Sequence, residues 1–167
     1  MVTTLGPTVL EAYRYHAWAN RKLLDALENL SDEQLQLTTP GTYGTIADTL
    51  QHLVGAEQRY VTRLSGGTPR AAEKDEFPGV ATLRERLAKS DADLLEIVER
   101  IQADQWIEGF DGGRNRGQAG VVLIQALHHG NDHRTHVCSI LGAHGIDYPE
   151  MDVWAYGSEK GFFVPVE

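Results

Sequence analysis

Cysteine is almost missing from this chain of 167 residues: Cys138 stands alone, which excludes an intramolecular disulfide and points to a reducing compartment. Basic side chains are scarce as well, with 15 Lys and Arg set against 24 Asp and Glu for a formal charge of −9. Non-specific nucleic-acid binding runs on phosphate neutralisation by a basic face, so this balance argues against nucleic acid as a partner. It also disfavours an anionic membrane surface. Long apolar runs are lacking, none approaching the roughly 20 residues of a membrane span. The segment from Met1 to Pro7 holds no basic region and no signal-type apolar stretch. The expectation is a soluble cytoplasmic protein.

What is present is an ordinary globular composition, 41% hydrophobic and 23% charged. The length suits one domain over residues 1–167 with a core able to fold without staples. Apolar spacing is helical nearly throughout. Pro7 fits the first turn of a helix, where its missing N–H costs nothing. Val9, Tyr13, His16, Asn20, Leu23, Leu27 and Leu30 then form one stripe. Ser31 to Gln34 reads as a capping box, followed by a Pro- and Gly-rich connection from Thr38 to Gly44.

A second long helix is predicted from Thr45 as N-cap, with Asp48 in its first turn, to about Leu64. Arg70 to Gly79 reads as an exposed loop. A third helix is predicted over Val80 to Ile107, with Leu83, Leu87, Leu94, Val98 and Ile101 inward. Phe110 to Gly120 is glycine-rich and suits a hairpin-like crossover, and a fourth helix runs from Gln118 or Ala119 to Leu141. The tail carries Tyr148, Trp154, Tyr156, Phe162 and Phe163 and is expected to pack back on the bundle. The fold class is therefore all-α: a four-helix bundle with a long crossover loop.

Four of the seven histidines fall between positions 128 and 136. Val122, Ala126, His129, His133, His136 and Ile140 occupy successive heptad positions, so the stripe that should face the core carries imidazoles at its middle. Burying imidazole costs free energy unless its nitrogens find partners. His129 and His133, one turn apart and about 6 Å between Cβ atoms, have the spacing with which zinc helices ligate. A solvated or individually hydrogen-bonded pair is the plain alternative, and Val122 and Ile140 on the same face weigh against solvation. A third ligand from another position is open among His16, His52 and His136.

Three stretches together resemble the DinB/YfiT-like superfamily of metal-dependent enzymes. The first is Tyr15-His-Ala-Trp18-Ala-Asn20-Arg-Lys-Leu-Leu24 and the second is Gly44-Thr-Ile-Ala-Asp-Thr-Leu-Gln-His52-Leu-Val-Gly-Ala-Glu57. The third is His128-His129-Gly-Asn-Asp-His133-Arg134-Thr135-His136. The resemblance covers nearly the whole chain in the right order. It implies a four-helix bundle, often a homodimer, with a divalent metal on His52, His129 and His133. The family pattern has Gly-Gln where this chain has Thr135-His136, which leaves open whether His136 is a fourth ligand, a neighbour of the ligands or a proton shuttle.

Three neutral imidazoles leave a divalent ion an open position, the mark of a catalytic site. Water there becomes a hydrolytic nucleophile, and an external thiol becomes a thiolate for transfer or isomerisation. The resemblance favours a low-molecular-weight thiol and a small-molecule substrate over plain hydrolysis, with zinc or nickel as the metal. A non-enzymatic metal- or ligand-binding stress protein is the alternative from another class.

Glu57 matches the family's acidic position and is a candidate base or ligand-orienting group, against a surface ion pair. Arg134 is a candidate for substrate-anion binding, against a structural salt bridge. With His136 these form the candidate catalytic set. His16 faces inward and is a candidate to hydrogen-bond within the site, against a plain core position. Asp132 should point off the stripe into solvent, and Tyr13 and Trp18 are expected in the core. Cys138 turns about 200° from His136 on a helix and reads as a small buried thiol. Asp111 to Gly117 lacks the Lys-Ser/Thr of a phosphate loop and is expected as a turn near the site.

Overall fold

The structure, a computed structural model, describes residues 5–69 and 76–166. Four long helices carry the architecture: α1 (Pro7–Ala26), α3 (Ile46–Leu64), α4 (Val80–Arg100) and α5 (Ala119–Ala143). Two short ones, α2 (Asp32–Leu35) and α6 (Val153–Glu159), flank them. Helix α1 packs on α4 and α5, and α3 packs on the same two, so α1 and α3 face each other across the bundle.

The helix starts are where the sequence places them. Pro7 opens α1 behind Gly6. Ser31 and Gln34 form a reciprocal capping box on α2. Thr45 caps α3: its hydroxyl accepts the Asp48 amide at 3.0 Å, while the Asp48 carboxylate accepts the Thr45 amide at 3.2 Å. Gly79 precedes α4 at φ +88°, a conformation that costs glycine little and other residues much. Residues 76–79 of the predicted Arg70–Gly79 loop are non-helical, while residues 70–75 and the chain before Leu5 lie outside the described residues.

The third predicted helix is too long by seven residues. Helix α4 stops at Arg100 because Ile101 is extended (φ −80°, ψ 149°). The helical stripe Leu94, Val98, Ile101 ends there too. Beyond it, Trp106–Phe110 is β1, paired antiparallel with β2 (Asn115–Gln118), with Ile107 opposite Gly117 and an irregularity before Phe110. Ile107 is buried, from a strand rather than from a helix. The hairpin is fastened at its base by Ala119 N–H to Gln105 C=O and Gly120 N–H to Ala103 C=O, each 2.8 Å, and at its arm by the Arg63 guanidinium on the Gly109 carbonyl at 2.6 Å.

The tail packs back on the bundle as expected, through α6 against α1, but not by burying most of its aromatic rings. Only Tyr156 enters the protein, 4% exposed against Trp18 and Tyr15, while Trp154 is 72% exposed and Tyr148, Phe162 and Phe163 are also largely in solvent. Two turns of α6 present one face inward, and that face holds Tyr156. Its docking is polar as well: the Trp18 indole N–H donates to Glu159 at 2.9 Å.

The apolar core is split along the bundle axis. One cluster joins Leu23, Leu24 and Leu27 of α1 to Ile46 and Leu50 of α3, Leu87 of α4 and Ile140 of α5. Another joins Tyr13, Leu64, Leu94, Val98 and Val122 at the other end. Between them, on all four helices, lie His16, Asn20, Glu57, Asp91 and Arg134, all buried. A buried polar layer is costly unless every group is partnered, which makes its hydrogen bonds the next question.

Candidate metal centre

Helix α3 supplies His52 and α5 supplies His129 and His133; one donor nitrogen from each lies within 4.8 Å of the others. Nε2 of His52 and Nε2 of His129 are 3.0 Å apart. The rings stand 4.3 Å (His129–His133), 4.8 Å (His52–His133) and 5.0 Å (His52–His129) centre to centre. His133 is buried and the other two are half-buried. Among the three candidates for a third ligand that patterning left open, the fold puts His52 beside the pair.

The electrostatics keep these rings neutral. His129 is pulled down to about 3, by burial first and then by His133, His52 and Arg59. His133 falls to about 4, again by burial first, then by His52 and His136. His52 is lowered by burial and by Arg59. Neutral imidazole carries the lone pair that ligates metal. The donor set also passes a test of fit: His133 Nδ1 is buried with no hydrogen-bond partner among the described residues. A buried ring nitrogen left unbonded costs free energy that a ligated cation would recover. Three imidazoles from two helices would thus hold a divalent ion.

Aromatic rings wall the trio. Tyr43, in the loop before the Thr45 cap, stacks on His52 at 4.1 Å and 25° and meets His133 edge-on at 5.1 Å. Tyr60 meets His129 edge-on at 5.8 Å. By sequence, Tyr43 falls only within the Thr38–Gly44 connection and Tyr60 only within the second long helix; an aromatic residue beside an N-cap two turns before a candidate ligand is the available signal.

The other histidines part company. His136 lies with its ring 5.3 Å from that of His133, half-buried, its Nδ1 unpartnered among the described residues, and outside the three-nitrogen set. His128 faces outward, 3.9 Å from exposed Asp132, as expected for Asp132. His144 bonds the Thr38 carbonyl at 3.0 Å. Cys138 is half-buried and burial pushes its thiol up to about 11, so it stays protonated.

Glu57 and Arg134 belong to the second, sealed group. Glu57 Oε1 accepts from His16 Nε2 at 2.7 Å. Arg134 Nη1 donates to Asn20 Oδ1 at 2.6 Å and to His16 Nδ1 at 3.3 Å. Asn20 Nδ2 donates to Asp91 Oδ1 at 2.9 Å and reaches Glu57 Oε1 at 3.5 Å. His16 therefore bonds inside this group, not to the His52 trio, and Arg134 is buried with no direct carboxylate salt bridge among the described residues. Asp91 and Asn20 went unremarked as site residues in the sequence, although Asp91 sits four residues after Leu87 on the inward stripe of α4. Gly130 makes the group possible: a Cβ there would fall inside contact distance of His16 Cε1 and 3.0 Å from Arg134 Nη1.

Similarity to known proteins agrees with this fold. A crystal structure of a DinB-like protein from Bacillus cereus ATCC 10987 matches with a TM-score of 0.66 at 19% identity, over 90% of this chain and 99% of that one. No curated protein matches the chain. The model of the DinB family matches residues 1–160, nearly the full length, and the chain belongs to the DinB family.

Proposed function

We propose that the protein binds one divalent metal ion through His52, His129 and His133 and uses it as an enzyme acting on a small molecule. The observation that carries this reading is the set of neutral imidazole nitrogens within 4.8 Å of one another, one of the rings holding a buried nitrogen without a partner. Bound there, zinc or nickel would supply Lewis acidity, lowering the pKa of a thiol or water brought to its open position. The chain's own residues do the rest. His52 is held by the face of Tyr43, and His129 by the edge of Tyr60, so both rings keep their orientation. The half-exposed side of Tyr43 gives an incoming ligand an aromatic surface next to the trio.

A low-molecular-weight thiol is the preferred reactant, and transfer to an electrophile the preferred reaction, on the resemblance of the three motifs. A hydrolase would use the same donors. A non-enzymatic binding protein is favoured by one observation, the unpartnered Nδ1 of His136 next to His133. If His136 fills the remaining position, the site closes and no substrate reaches the metal.

Metal content by plasma mass spectrometry on untagged protein tests the reading, with a His52→Ala, His129→Ala, His133→Ala variant alongside. About one zinc or nickel per chain, lost in the variant, is the expected result, and a screen of small thiols with electrophiles follows. Equal metal in both proteins, or none in either after reconstitution, would sink it. Metal retained by wild type but lost in His136→Ala would favour the closed, binding reading.

A further inference from the structure

The sealed polar layer offers a question that the histidine trio does not: how two carboxyl groups survive together in the core. Asp91 on α4 and Glu57 on α3 are both buried, and an oxygen of each lies within 4.8 Å of the other and of a His16 ring nitrogen. The groups facing Asp91 are His16 and the Asn20 amide from α1, Glu57 from α3 and Arg134 from α5. Tyr13, the next titratable neighbour, is pushed up by burial and by Glu57 and donates to the Leu123 carbonyl, so it is neutral.

Charge can be counted from the hydrogen bonds. A guanidinium only donates, so His16 Nδ1 accepts from Arg134 and carries no proton. The His16 proton then sits on Nε2, where it is donated to Glu57. His16 is a neutral Nε2–H tautomer with no lone pair left for a metal. This fact, and a guanidinium in the same layer, closes the His16, Glu57, Asp91 trio to a cation. The only positive charge in the layer is Arg134. Two ionised carboxylates would leave a net negative charge buried without compensation, which a low-dielectric interior resolves by protonating one of them.

We propose that Glu57 and Asp91 hold one proton between them at neutral pH, carried by Asp91, making the bundle's centre a neutral, fully bonded acid pair that opens on the alkaline side. The assignment to Asp91 follows from partners: Glu57 receives the His16 N–H, while Asp91 receives the Asn20 amide and hydrogen-bonds Glu57, a contact that needs a proton on one of the two acids. In agreement, burial first and the Glu57 charge second push Asp91 from 3.8 to about 8. The sign follows. An acid whose folded value is raised binds a proton in the folded state that the unfolded chain has released, so stability falls as pH rises from about 4 to about 8, and levels off above that. At most one proton is involved, so the unfolding constant rises by up to about tenfold per pH unit.

Infrared difference spectroscopy on the wild-type protein tests this directly. At neutral pH exposed carboxylates are ionised, so one protonated-carboxyl C=O band, shifted on deuteration, is expected, and it should vanish in Asp91→Asn. Urea unfolding from about pH 5 to about pH 8 provides the second arm: wild type should lose stability with a slope about one proton steeper than Asp91→Asn, whose amide mimics the neutral acid. A wild-type spectrum without such a band overturns the proposal. So do identical pH slopes, or a bound metal that survives in the His52→Ala, His129→Ala, His133→Ala variant and is lost in Asp91→Asn.

Discussion

Two clusters of ionisable side chains sit in the same bundle and handle burial in opposite ways. The His52, His129, His133 trio opens partly to solvent and leaves a ring nitrogen unbonded. The His16, Asn20, Glu57, Asp91, Arg134 layer is sealed, and every side chain in it has a partner. Incomplete satisfaction is affordable only where an outside ligand can complete it, and complete satisfaction leaves nothing for a ligand to do. The first cluster therefore has the chemistry of a site and the second that of a structural keystone, although both contain histidine and both draw on α3 and α5.

Breaking the sealed layer should cost most. Arg134→Met leaves Glu57 as an uncompensated buried charge and should destabilise the fold by about 3–5 kcal/mol, read from denaturant midpoints. Adding Glu57→Gln to that variant should return roughly 0.5–3 kcal/mol of it; strict additivity of the two changes would mean that Arg134 and Glu57 are not coupled. Asn20→Leu, which strands donors and acceptors on both sides, should cost about 1–3 kcal/mol. Removing the Thr45 hydroxyl by Thr45→Ala, which touches neither cluster, should cost about 1 kcal/mol. At the small end, Tyr43→Ala should change stability by no more than about 0.5 kcal/mol, being half exposed. The same change should weaken metal binding by about tenfold, since a support of the His52 ring is lost. Chelator competition would measure that, and unchanged affinity with lowered stability would invert the comparison.

How much of this was legible in the sequence depended on whether the signal was local. Helix starts were, because Pro7, Ser31 and Thr45 act within one turn of themselves. The His129–His133 pair was, because its spacing is fixed by the helix that carries it. The choice of His52 over His16 needed the family resemblance, since both lie on inward stripes, and which imidazole meets which depends on how α1 and α3 are rotated in the bundle. The roles of Glu57 and Arg134 were not legible. Within the layer, the partners of Glu57 are 37 and 41 residues away and those of Arg134 are 114 and 118 residues away, and the same side chains at the surface would have read identically. The end of α4 was missed because nothing between Arg100 and Gln105 breaks a helix locally; the turn is set by the hairpin's pairing and its anchors to Ala103 and Gln105.

Gly130 has a consequence for engineering. Exchanging a mid-helix glycine for alanine is a standard route to heat tolerance, gaining up to about 1 kcal/mol. On α3 that route is open at Gly55, where an added methyl would meet only the flexible tip of Arg59 at 3.2 Å. At Gly130 the methyl would push into His16 and Arg134, both held by bonds to other helices. Thermostabilised versions of this protein must therefore keep the weakest helix-forming residue of α5 immediately after His129, because the keystone occupies the space that a side chain there would need.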